Sequence, residues 1–172
     1  MAFNSGASSG NLVLLSSQTV SGSAGITFTS VITSKYSDYV LRCSGVTPAG
    51  GAGVLNLRFS VDNGANWLGG ANYTRTGYAT FVGAGVFYGD VGNTSAYVCA
   101  TIVTQASSIC NFFSLASSTL IPMMIGNSLG VDTGRQDTFG WQYDSAITVN
   151  AIQLFPDAGT FSGSFKLYGV QK

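Results

Sequence analysis

Apolar and polar residues alternate with a period of two along much of this chain, which restricts it to β structure. Leu55, Leu57, Phe59 and Val61 alternate with Asn56, Arg58 and Ser60. Tyr39, Leu41 and Cys43 alternate with Val40 and Arg42, and Phe139, Trp141 and Tyr143 with Gly140 and Gln142. Successive side chains of a strand point to opposite faces, so each run describes a strand with one face buried. The same reading gives strands over 12–16, 25–33, 73–82, 96–104, 108–115, 120–125, 146–155 and 161–170. No window of a dozen residues sustains an i, i+3, i+4 stripe, and the 23 Gly are poor helix material.

Turn chemistry separates the strands. Asp62-Asn63-Gly64 follows a clean alternating run and offers the positive φ values of a tight hairpin. Asp157-Ala158-Gly159 serves the last strand in the same way, and Thr47 to Gly53 reads as a longer loop. At 172 residues one domain is expected. The fold class is therefore all-β: a single antiparallel β-sandwich, with an eight-stranded jelly roll as the leading form, over residues 12–172. Residues 1–11, rich in Ser, Gly, Ala and Asn, form a short extended N-terminal arm with too little apolar surface to fold alone.

Only 8% of the residues are charged, against roughly a quarter in an ordinary soluble domain. All seven acids are Asp, the bases also number seven, and there is no His. A chain without His cannot build a Ser-His-Asp triad, a His-activated Cys or an imidazole zinc site, so neither catalytic nor metal-binding residues are assigned and no cofactor is expected. A formal charge of zero gives no basic face for nucleic acid. No run of about 20 apolar residues suggests a membrane-spanning helix. The start, Met1-Ala2-Phe3-Asn4-Ser5-Gly6, lacks the features of a signal peptide, which places synthesis in the cytosol. Cys43, Cys99 and Cys110 show no CxxC spacing and read as small buried hydrophobes, with a Cys99 to Cys110 pair left open.

The carboxylates Asp38, Asp62, Asp90, Asp132, Asp137, Asp144 and Asp157 all sit in turn-like contexts, and no spacing singles out a glycosidase pair. Trp67, Tyr73 and Tyr78, with Arg75 between them, form the candidate carbohydrate or partner contact, because flat rings beside amides and guanidinium suit a sugar. The same rings in alternating strands also fill cores. Phe81 to Tyr88 and Leu120 to Ile125 are the least polar stretches, and with so few charges to cover a free surface they point to self-association.

Several segments together resemble a known group. These are Tyr36-Ser37-Asp38-Tyr39-Val40-Leu41, the run from Leu55 through Asp62-Asn63-Gly64, Asn72-Tyr73, Val149 to Leu154, and Gly159 to Val170. Their order and spacing are similar to small β-sandwich proteins encoded among the structural genes of tailed bacteriophages, over about residues 12–170. The resemblance implies a virion protein made in the host cytoplasm, either a trimeric capsid decoration (cement) protein or a tail-fibre, receptor-binding module that recognises host surface carbohydrate. It brings no catalytic residues, and the chain is expected to be no enzyme. Decoration is the preferred reading, with the arm residues Ala2, Phe3, Asn4 and Ser5 contacting a major capsid or tail subunit. A homotrimer is favoured, with host glycan as the rival ligand.

Overall fold

A computed structural model describes residues 11–50, 53–81, 83–102, 104–131 and 134–172. The strands are Leu12–Ser23 (β1), Ile26–Thr29 (β2), Tyr36–Ala49 (β3), Gly53–Ser60 (β4), Tyr73–Phe81 (β5), Ala84–Asn93 (β6), Ala96–Ile102 (β7), Ala106–Phe113 (β8), Met123–Gly130 (β9), Gln136–Tyr143 (β10), Ala151–Pro156 (β11) and Thr160–Gln171 (β12). They form an antiparallel β-sandwich of two unequal sheets. The larger runs β1-β12-β3-β8-β9-β10-β5-β6 and the smaller β2-β11-β4-β7.

The alternation seen in the sequence becomes the core. Leu55, Leu57 and Phe59 of β4 and Ile152 and Leu154 of β11 face Tyr39, Leu41 and Cys43 of β3, Cys110 and Phe112 of β8, and Phe165 and Leu167 of β12, and all are buried. Burying such side chains contributes about 1.5–3 kcal/mol each, the term that holds the sheets together. Phe139 of β10 lies against the backbone of Gly126 on β9, where an added Cβ would stand 2.6 Å from its ring. Cys43, Cys99 and Cys110 are free and buried. The Cys99 thiol donates to Ser108 Oγ at 3.0 Å. A hydrogen bond with Cys99 and then burial push the Cys43 thiol up, and burial does the same to Cys110, so both stay neutral core groups.

The strands number twelve among the described residues, more than an eight-stranded jelly roll has. Eleven answer to runs read from the sequence; β6 does not, and it lies partly within the apolar stretch from Phe81 to Tyr88. Connections differ too. Asn63 and Gly64 do take positive φ, 59° and 91°, but no hairpin results, because β4 belongs to the small sheet and β5 to the large one. The Asp157-Ala158-Gly159 turn likewise carries the chain between sheets. Hairpins join β5 to β6, β8 to β9 and β9 to β10. Thr47, Pro48 and Ala49 continue β3 rather than open a loop.

The Asp62 turn ties three loops. Asp62 Oδ1 accepts from Ser60 Oγ at 2.7 Å and from the Asn66 backbone N–H at 2.8 Å, and Oδ2 accepts from Asn66 Nδ2 at 2.7 Å. Asn63 Oδ1 accepts from the Ser30 N–H at 2.6 Å, and Asn150 Oδ1 from the Asn63 N–H at 2.7 Å. The donors from Asn66 and Ser60 hold the Asp62 carboxyl down at about 2. A lowered folded-state value means the contribution is complete above the unfolded carboxylate range, about 4, and is lost as pH falls from there towards 2. Asp62→Asn is therefore expected to lower the melting temperature at neutral pH and to flatten its fall across that acid window; thermal melts over a pH series check this.

Candidate functional site

The small sheet ends at β7, which lies over β8 and β9, while the large sheet continues through β10 and β5 to β6. The inner faces of those last strands and the edge of β7 therefore bound an open cleft. Its cavity, about 300 Å³, is lined by Val54 and Asn56 of β4, Arg75 of β5, Tyr88 and Asn93 of β6, and Tyr97 of β7, with Ser95, Arg135, Trp141 and Asp157.

Strand parity and register choose these side chains. Arg75 pairs in register with Asp90, and Gly77 with Tyr88, on the inward face of the β5–β6 hairpin. Gly77 is required there because a Cβ would lie 2.5 Å from the Tyr88 ring. The Arg75 guanidinium sits over the rings of Tyr88, Tyr97 and Trp141, at 5.1, 5.5 and 5.6 Å from their centroids. Such cation–π contacts contribute about 0.5–1 kcal/mol each at exposed sites and more when desolvated. Its Nε donates to Asp90 Oδ1 at 3.0 Å and its Nη2 donates to Oδ2.

A second ion pair lies deeper. Arg135 Nε and Nη2 donate to the two oxygens of the buried Asp137 at 2.8 and 2.7 Å. The Tyr97 hydroxyl donates to Tyr88, and the Tyr88 hydroxyl donates to Asp137 Oδ1 at 3.4 Å. Burial, then the bond to Tyr88, push Tyr97 far above its ordinary value, and burial raises Tyr88 as well, so both hydroxyls remain protonated donors. Burial would raise Asp90 too, but hydrogen bonds from Asn93 and Arg75 outweigh it and hold this carboxyl below its ordinary range. Asp157 Oδ1 accepts from the Val54 and Ala158 N–H groups at 3.0 and 3.1 Å. Each of these carboxylates is thus engaged by its own donors.

The contact expected from sequence does not assemble. Tyr73 is fully buried; its hydroxyl donates to the Leu68 carbonyl at 3.1 Å and accepts from the Phe59 N–H at 3.0 Å, so it is a core residue and no sugar reaches it. Arg75 shares its inward face, in the cleft, whereas Tyr78 is an odd number of residues away and points outward, where it packs on Phe87 with ring centroids 4.4 Å apart. Trp67 lies across the turn at Gly64, at the other end of β4 from the cleft. The arm contacts Ala2, Phe3, Asn4 and Ser5, like Asp132, fall outside the described residues. Tyr88, Tyr97 and Trp141, which do converge with Arg75, were not grouped by sequence, and only the equal parity of Tyr73 and Arg75 hinted that Arg75 turns inward.

A second feature is the apolar surface. Met123, Ile125 and Leu129 line the outer face of β9, and Ile109 of β8 adjoins them through its partner Asn127. Phe87 on the edge strand β6 is 84% exposed and Val91 77%.

No family model and no curated protein matches the chain. Among solved structures it is similar to the A. japonicus protein CB05, at 11% identity and TM-score 0.41 over 95% of this chain and 27% of that one. It also matches the A. japonicus fructosyltransferase, with 10% identity, TM-score 0.41 and the same coverage. A third match is scytalido-glutamic peptidase solved with a transition-state analog inhibitor, with 12% identity and TM-score 0.36 over 86% of this chain and 75% of that one. The chain thus spans about a quarter of the length of the two A. japonicus proteins. The expectation that the chain is no enzyme is corrected: the solved structures it is similar to include a fructosyltransferase and a peptidase, and the absence of His is no ground for that exclusion.

The dependence of the cleft on Gly77 is open to measurement. Gly77→Ala should displace the Tyr88 ring and lower unfolding free energy by about 1–3 kcal/mol, the usual range for overpacking. Gly140→Ala, where the added methyl meets Thr76 Cγ2 at 3.6 Å, is the control expected to fall well below that. Urea titration compares the two.

Proposed function

We propose that the chain is a structural subunit of a tailed-phage virion, a capsid decoration (cement) protein that self-associates and docks on the particle. The observation that carries this reading is the apolar surface: Met123, Ile125 and Leu129 on one sheet face, Phe87 and Val91 on one edge strand, and Leu12 and Leu14 on the other, all exposed. Apolar area removed from water stabilises by about 25 cal/mol per Å², so neighbours that cover these side chains gain from doing so. The edges add a second support. β1 and β6 close the large sheet without a Lys or Pro in either strand, and between their register shifts these edges offer free N–H and C=O groups to a pairing chain. A threefold arrangement, the virion location and docking of residues 2–11 on major capsid or tail subunits follow the resemblance to tailed-phage sandwich proteins.

Particles assembled with a variant lacking residues 1–10 should lose the protein, while its circular dichroism and melting temperature stay unchanged; undiminished occupancy on purified particles would sink the docking role. Phe87→Ser combined with Ile125→Ser should shift the protein towards monomer in light scattering while its circular dichroism stays unchanged.

A further inference from the structure

Packing alone does not account for the cleft at the uncovered end of the large sheet. Its cavity of about 300 Å³ stands at the small end of the range for ligand pockets. Arg75 is fixed on both sides, by three rings behind it and by Asp90 beside it, so its planar group is presented in one orientation. Asn56, Asn93, Ser95 and Tyr88 add side-chain donors and acceptors to the same walls. Trp141, a wall residue only 6% exposed, keeps a buried indole N–H without a protein partner.

From this arrangement we propose that the cleft binds a neutral saccharide, one or two sugar units in size. Charge selects the class. Arg75 is paired with Asp90 and Arg135 with Asp137, and Asp157 adds a carboxylate held by two backbone N–H groups, so both cations are already compensated and an anion is disfavoured. What remains is a set of hydrogen-bonding side chains, partly engaged with one another, beside the half-buried ring of Tyr88. Neighbouring hydroxyls on a pyranose ring, with its apolar C–H face, match that set. The chemistry is common to free sugars and to the ends of surface glycans. The inference is independent of the assembly reading, since sugar binding and particle incorporation are measured separately.

The chain has two Trp, so Trp67→Phe leaves Trp141 as the sole indole reporter beside the cleft. In that background the intact protein is titrated with glucose, galactose, mannose, N-acetylglucosamine, maltose, cellobiose and lactose, with glucuronate and inorganic phosphate as charged counterparts. A printed array carries the same units as glycan ends. The expected result is a saturable change in Trp141 emission with at least one neutral sugar, or selective capture on the array, which would assign surface glycan as the source. Arg75→Lys keeps the charge but loses the planar fork, and Asn56→Ala removes one wall group; each should weaken binding by about tenfold or more while far-ultraviolet circular dichroism shows the fold retained. Three results would overturn the proposal: no saturable response to any neutral sugar in either format, equal affinity in both variants, or preference for glucuronate or phosphate.

Discussion

An eight-stranded sheet faces a four-stranded one, and the mismatch governs the rest of the molecule. At about 4.8 Å per strand the small sheet spans roughly half the width of the large one. Where the two overlap, the inner faces close into a dry core of Tyr39, Leu41, Phe112, Leu57 and Ile152. Beyond β7 the cover thins: Phe139, Trp141 and Tyr143 of β10 are still buried, while the inner face of β6 opens to solvent at the cleft. An apolar face would be unstable at that rim. Arg75, Asp90, Arg135 and Asp137 replace aliphatic residues just at that end, and they do so as two pairs, because an unpaired charge half out of water costs more than a pair.

The chemistry of the cleft follows from how deep each group lies. Asp137 is fully buried and survives as a carboxylate through the two-pronged contact with Arg135, whose guanidinium is held above its ordinary value chiefly by that hydrogen bond. Asp90, nearer the rim, keeps its charge through Asn93 and Arg75. Between the two pairs stand Tyr88 and Tyr97, whose hydroxyls cannot ionise so far from water and therefore act as fixed dipoles. The cleft is polar, with both of its cations paired and the Asp157 carboxylate in excess, which disfavours anionic partners.

Much of the fold was legible because period two is a direct consequence of strand geometry. Leu55 to Val61 and Phe139 to Tyr143 could be read without any knowledge of partners. β6 was not, since an edge strand exposed on both faces loses its apolar alternation. The Asp62 turn exposes a different limit. Local chemistry fixes φ at Asn63 and Gly64, but whether the next strand pairs alongside or crosses to the other sheet depends on contacts far away in sequence. The cleft is hidden for the same reason: Asn56, Arg75, Tyr88, Tyr97 and Trp141 come from five strands, and only sheet order brings them together. Parity within β5 was legible, and it already separates Tyr78 from Tyr73 and Arg75.

β6 joins the two surface features into one device. Its residues alternate between Phe87, which faces outward against Tyr78, and Tyr88 and Asp90, which face the cleft. The strand is held by β5 on one side alone, so its backbone has half the pairing of an interior strand. A neighbour that pairs with this edge or covers Phe87 restrains the same few residues that orient Arg75. Ordering of β6 by such a contact would lower the entropy lost when a ligand enters the cleft, and by linkage an occupied cleft would favour the contact to the same extent. The uncovered end of the large sheet is therefore a single structural unit, and the proposed assembly and the proposed sugar binding would both act on β6.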